Sequence, residues 1–309
     1  MQAEGKANDG SACYAAIRCM AIATQVTQRD FEILLALCHC PLTLEQLRRI
    51  SETFRQPFPT YRRVHERMKS LANAGWIHQH VYAGSAGGRL TYYTLSPLGH
   101  RIINGPDEPL PSRRRFEPVA FAREQHTRAL AEFIVQMIVT AHRSSVIFTE
   151  FWQENELRLD VRGKSLYPDC AFELVAPGAR TFSFYVELDN GTQPVRSSKD
   201  LESWSRKLKL YDELQSASSG RFRALIVSTR SEQRLQHIMA TATTFMTNPD
   251  RWLFYGLTLR EFLAAENPVL TPAFRNHRGQ PVPLVTIPRD VPTVLLRATA
   301  AATNPAVLI

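Results

Sequence analysis

The chain has 309 residues, 44% of them hydrophobic and 21% charged, which is the make-up of a folded protein with room for two cores and excludes a largely disordered one. No apolar run is long enough to span a bilayer, and residues 1 to 24 lack a basic start followed by an apolar stretch, so a membrane or secreted protein is not expected and the cytoplasm is. The net charge of +8 favours an anionic partner such as nucleic acid.

Residues 1–26, rich in alanine, read as a loose arm. A first domain is expected over 27–104. Thr27-Gln28-Arg29-Asp30 has the form of a helix start, with Phe31, Ile33, Leu34, Leu35 and Leu37 as the apolar face and Pro41 beyond its end. The five cysteines are odd in number without CxxC pairs, and Cys38-His39-Cys40 lacks a second ligand pair, so thiols are expected rather than zinc ligands. Thr43 is placed to cap a second helix and Thr60 a third, in which Val64, Met68, Leu71 and Ala72 face inward and Gly75 closes the end. Strand-like stretches at 76–82 and 90–95 flank a glycine-rich turn. Three helices followed by a hairpin predict a winged helix-turn-helix, and the stretch TYYTLSPLGHRI resembles that pattern. In such a module the third helix enters the major groove of double-stranded DNA, which makes Arg62, Arg63, Arg67 and Lys69, with Arg89 of the wing, the candidate DNA contacts. Ten Lys and Arg against five Asp and Glu leave this domain at +5.

Residues 105–118, opening on Gly-Pro-Asp-Glu-Pro-Leu-Pro, are expected as a linker, and Arg113-Arg114-Arg115 as either a phosphate contact or a solvated basic run. A second domain is expected over 119–288, with a tail over 289–309. Its pattern is a long helix from about Ala120 to His142, then strands and helices in alternation, which predicts an α/β fold with a mixed central sheet flanked by helices. Two strand segments, Tyr167–Leu174 and Phe182–Asp189, carry acidic residues. Glu187 and Asp189 share a strand face, and a hairpin would bring Asp169 beside them, a cluster suited to a divalent cation.

Pro168-Asp169 and Glu187, on consecutive strands ahead of a helix, resemble the PD-(D/E)XK nuclease superfamily. Asp189 stands where that pattern has lysine, and Lys207 or Lys209 on the next helix are the candidates to replace it. The segments VELDNGT and WSRKLKLYDEL more narrowly resemble the replication-relaxation family of mobile-element proteins, to which MOBC-type relaxases are similar. The resemblance implies a Mg2+ or Mn2+ ion held by Asp169, Glu187 and Asp189, with Asp169, Glu187 and Lys207 as catalytic residues. Each also has a structural reading: a turn aspartate, an edge-strand pair, a surface lysine. His126 has two readings, a residue that approaches the site or a phosphate and, ahead of it, a packed or capping histidine; Glu124 and Glu132 read as surface carboxylates before they read as a further helical carboxylate of the site, and Tyr211 as a packed aromatic rather than a nucleophile. The implied function is a metal-dependent DNA endonuclease or nickase of plasmid or mobile-element replication or transfer. The alternatives are a non-catalytic regulator with a degenerate nuclease-like domain, and a transcription factor whose second domain binds an effector. A homodimer and transfer or replication proteins are the further partners considered.

Overall fold

In the computed structural model, which describes residues 26–84, 90–178, 180–197, 203–218 and 220–287, a hydroxyl side chain caps one helix after another: Thr27, Thr43, Thr60, Ser96, Ser203, Ser231 and Thr258 each accept a backbone N–H of the first turn. A cap of this kind is worth about 1 kcal/mol and fixes where the helix begins. The expected arm (but for Val26), the expected tail and Arg89 lie outside the described residues. The chain divides into two compact units between Phe121 and Ala122.

The first unit packs α1 (Gln28–His39), α2 (Leu44–Ile50) and α3 (Tyr61–Asn73) with a small antiparallel sheet of order β1-β3-β2, where β1 is Leu42–Thr43, β2 Ile77–Val81 and β3 Thr91–Leu95. In α3 the spacing Val64, Met68, Leu71 puts one stripe inside, all at most 1% exposed. The helix ends at Gly75, whose φ of +74° is readily open only to glycine. α4 (Pro97–Asn104) then lies directly on the backbone of Trp76: a Cβ on Gly99 would fall 2.0 Å from the Trp76 carbonyl oxygen, so no other residue fits there.

The expected linker instead closes this unit. Phe116 is buried and its carbonyl lies 3.0 Å from His78 Nδ1, Arg115 donates to the Cys38 carbonyl, and the Val119 N–H donates to the Tyr92 hydroxyl. A proline-rich segment that reads as punctuation is thereby held by a side chain and main-chain bonds whose partners lie far off in sequence. Cys38, Cys40 and Cys170 are all thiols.

The second unit is mixed α/β around a seven-stranded mixed sheet of order β12-β11-β10-β9-β8-β7-β4. The strands are β4 (Ile147–Gln153), β7 (Cys170–Ala176), β8 (Arg180–Asp189), β9 (Phe222–Ser228), β10 (Phe254–Thr258), β11 (Phe274–Asn276) and β12 (Pro281–Val282), with a separate hairpin of β5 (Leu159–Val161) and β6 (Lys164–Leu166). β4, β7 and β8 run antiparallel in succession, whereas β8, β9 and β10 are parallel. β8 is buried on both faces. Phe184 joins an aromatic stack with Phe172, Phe133 and Phe262 that ties the sheet to α5 (Glu124–Arg143) and α8 (Leu259–Ala264). On the opposite face Tyr185 meets Tyr211 of α6 (Trp204–Ala217), and α7 (Glu232–Phe245) completes that layer with Leu235 and Ile238. Period-two alternation therefore sends Glu187 and Asp189 beneath α6. β5, β6, β11, β12 and α8 are absent from the sequence reading; each is six residues or shorter, too short to display a period.

Candidate functional site

The carboxyl end of β8 gathers the polar residues. Asp169 stands just ahead of β7 and is bound to β8 twice: its N–H donates to the Val186 carbonyl at 2.9 Å, and its Oδ2 accepts the Leu188 N–H at 2.6 Å. The hairpin register that pairs Cys170 with Val186 thus sets the carboxylate beside the end of the neighbouring strand. Glu187, 1% exposed, accepts Lys207 Nζ on Oε2 at 2.6 Å and the Tyr211 hydroxyl on Oε1 at 2.8 Å. Lys207 and Tyr211 are four residues apart on α6 and so share a face. Lys209 is turned away, with its Nζ 4.2 Å from the centre of the Phe245 ring. Between the two lysines considered, it is Lys207 that reaches the carboxylates.

Burial raises the Glu187 carboxyl above its ordinary range; the Lys207 ammonium pulls the other way and the nearby Asp169 charge pushes further up. For Asp169 burial also acts upward, but the bond and charge of His126, helped by Lys207, prevail and hold it low. The Tyr211 hydroxyl, buried against a carboxylate, is driven well above its usual 10, so it serves as a donor and not as a phenolate nucleophile.

Asp189 departs from expectation. Its carboxylate is forked by Arg234, Nε to Oδ2 at 2.6 Å and Nη2 to Oδ1 at 2.8 Å, and also accepts from the Trp204 indole, the Ser228 hydroxyl and the Gly191 N–H. With both oxygens so engaged it has nothing to offer an ion. The expected cation set of Asp169, Glu187 and Asp189 therefore does not fit: Asp189 is taken by a guanidinium and Glu187 by an ammonium and a phenol. What Asp189 does is tie the ends of β8 and β9 to the first turns of α6 and α7.

Of the two sequence readings of His126, packed residue and site residue, the structure favours the second. The imidazole Nε2 is 3.4 Å from Asp169 Oδ1 and its Nδ1 lies 2.9 Å from the Asn190 amide. Burial disfavours its charge, yet the Asp169 carboxylate outweighs this and raises the imidazole above 6.5. Glu154, beyond β4, comes close to both and is paired with Arg123. Glu124 is buried and Glu132 half-buried, neither in that group. Tyr211 had a signal in sequence, its place four residues after Lys207. Glu154 and Arg234 had none, since their partners lie 15 and 45 residues away.

In the first unit Arg62 and Arg63 are 86% and 70% exposed and lie near Glu66, at 2.7 and 3.5 Å, and Lys69 is exposed. Arg67 is not an outward-facing residue: its guanidinium forks the fully buried Asp30, which also accepts the Thr27 N–H at the start of α1. A charge spent on an internal carboxylate is not available to a phosphate, which corrects its expected place among the DNA contacts.

The replication-relaxation family matches residues 35–226. The chain belongs to that family. The matched span runs from α1 through β9 and takes in His126, Asp169, Glu187, Lys207 and Tyr211, so the family relationship extends over both units and the whole cluster. Compared with curated proteins and with solved structures, the chain finds no match. No described helix is long and apolar enough to cross a membrane.

Proposed function

We propose that the first unit is a winged-helix head that binds double-stranded DNA and that the second is a PD-(D/E)XK-like domain that nicks DNA during replication or transfer of a mobile element, in the manner of a relaxase. The observation that carries this reading is the convergence of Asp169, Glu187 and Lys207, from three separate elements, at the carboxyl end of the parallel strand β8, where open α/β sheets place their ligands. Lys207 would offset the charge that grows on a phosphate during displacement, with Glu187 holding the ammonium in place and Tyr211 holding Glu187. The resemblance implies a divalent ion that would activate water and bind the scissile phosphate, and Asp169 is the one residue of the expected set able to reach it. Arg62, Arg63 and Lys69 would meet the DNA backbone.

The second reading is a non-catalytic regulator of replication or transfer, and one observation favours it: Glu187 and Asp189 are both already matched by cations, as in a structural charge network. Supercoiled plasmid incubated with the purified chain and Mg2+ or Mn2+ separates the two. Nicking that disappears in Asp169→Asn and Glu187→Gln, with gel-shift binding intact, supports the nickase. Binding without cleavage across divalent ions and cognate DNA supports the regulator.

A further inference from the structure

Next to the Lys207–Glu187 pair lies a second set of ligating atoms. His126 in the first turn of α5, Glu154 after β4 and Asp169 ahead of β7 each bring one such atom to within 4.8 Å of the others. The His126 Nε2 is buried and faces Asp169 Oδ1 across 3.4 Å, too long for a well-made hydrogen bond. The wiring on the far side of the ring sets where its proton sits. Asn190 offers Nδ2 to His126 Nδ1 at 2.9 Å and its Oδ1 to the Thr229 hydroxyl at 2.8 Å, while the same hydroxyl lies 3.2 Å from the Asp189 carbonyl. With Asn190 Nδ2–H donating to Nδ1, the ring proton sits on Nε2 and faces Asp169. A cation that takes the Nε2 lone pair displaces that proton, and the ring proton is then carried on Nδ1, where Asn190 Oδ1 accepts it once the amide turns over.

We propose that His126, Glu154 and Asp169 form a binding site for one divalent first-row transition ion, with Mn2+ as its representative. Imidazole is a ligand for such ions rather than for Mg2+, which prefers oxygen alone. Two carboxylates balance the charge of the ion. The Asn190–Thr229 chain fixes the imidazole from behind, and Arg123 holds the Glu154 carboxylate from outside, the outer support that metal ligands ordinarily have. Bonds of about 2.1 Å place ligand atoms roughly 3–4 Å apart, so the trio needs to close by up to about 1–2 Å. The site deepens the nickase reading by moving the ion from the Glu187–Asp189 side of Asp169 to the His126 side, but binding itself does not depend on turnover.

The test uses the full chain and Mn2+ alone, with calorimetry and pulsed electron paramagnetic resonance. One ion per chain is expected, with nitrogen modulation from the imidazole, and Mg2+ binding at least about tenfold weaker. His126→Gln removes the modulation and weakens Mn2+ binding at least about tenfold, and Glu154→Gln weakens it as well. Melting curves without metal check that the variants are folded; should His126→Gln unfold, the modulation in the unaltered chain decides alone. Bound Mn2+ without nitrogen coupling, affinity unchanged in a folded His126→Gln, or no binding at all overturns the site. Nicking without a nitrogen-coupled ion removes this inference and leaves the nickase reading, whereas a nitrogen-coupled ion without nicking does the reverse.

Discussion

Two buried ion pairs, Asp30–Arg67 in the first unit and Glu187–Lys207 in the second, look alike in a contact map and differ in kind. Asp30 is forked by a guanidinium and also closes the capping box with Thr27; together these overcome the effect of burial and keep its carboxyl below the ordinary 3.8. Glu187 has an ammonium and a phenol, yet burial and the neighbouring Asp169 keep its carboxyl above the ordinary 4.5. The first arrangement joins α1 to α3 with all charge matched. The second crowds Asp169 against Glu187 at a strand end, which is the condition for binding something positive or for presenting a lysine to something negative. Asp189, forked by Arg234, belongs with Asp30 although it lies two residues from Glu187. Adjacency on a strand does not make a shared role; the partner across the layer decides it.

The comparison is tested most severely at Lys207. If the chain nicks DNA as proposed, Lys207→Met should reduce nicking at least about a hundredfold, measured by single-turnover cleavage of plasmid, because it removes the charge that would face the phosphate. Its effect on stability should be smaller than that of Arg234→Met, since a carboxyl already raised can take up a proton. Arg234→Met strands the Asp189 carboxylate inside the protein and should cost about 3–5 kcal/mol in urea unfolding, whether or not any activity is present. If the two substitutions cost the same, the distinction between clamp and site fails.

Asp30→Asn should cost about 2–3 kcal/mol near neutral pH, less than Arg234→Met because Arg67 keeps partial contact with solvent. The sign of its pH dependence follows from the lowered carboxyl: the contribution is present above about pH 4 and is lost as the pH falls through the folded value. Unfolding midpoints of the unaltered chain should therefore decline below about pH 4 more steeply than those of Asp30→Asn. Tyr211→Phe takes one donor from Glu187 and should cost about 1–2 kcal/mol. Smallest of all, Lys209→Ala loses a contact with the Phe245 face and should change stability by no more than about 1 kcal/mol, with nicking unaltered. A strong effect on nicking at Lys209 would reverse the choice between the two lysines.

Much of the fold could be read from local pattern. Thr27, Thr43 and Thr60 announce their helices because a cap acts over three residues, and Val64, Met68 and Leu71 announce a buried face because a helix repeats every 3.6. The position of Glu187 and Asp189 on one face of β8 is legible for the same reason. What failed was whatever depended on contacts distant in sequence. Residues 112–118 read as linker because Phe116 has no neighbour in sequence to reveal that it is buried.

By itself the sequence determined where the elements begin and end, which face of each is apolar, the family and the candidate carboxylates, all consequences of interactions between residues a few positions apart. Only the tertiary structure decided which charges are spent and which are exposed to chemistry: Arg67 on Asp30, Arg234 on Asp189, Lys207 on Glu187, and His126 beside Asp169. The reason is physical. A charge in a folded chain is defined by its nearest counter-charge, and in each of these pairs that counter-charge arrives from an element 20 to 45 residues away.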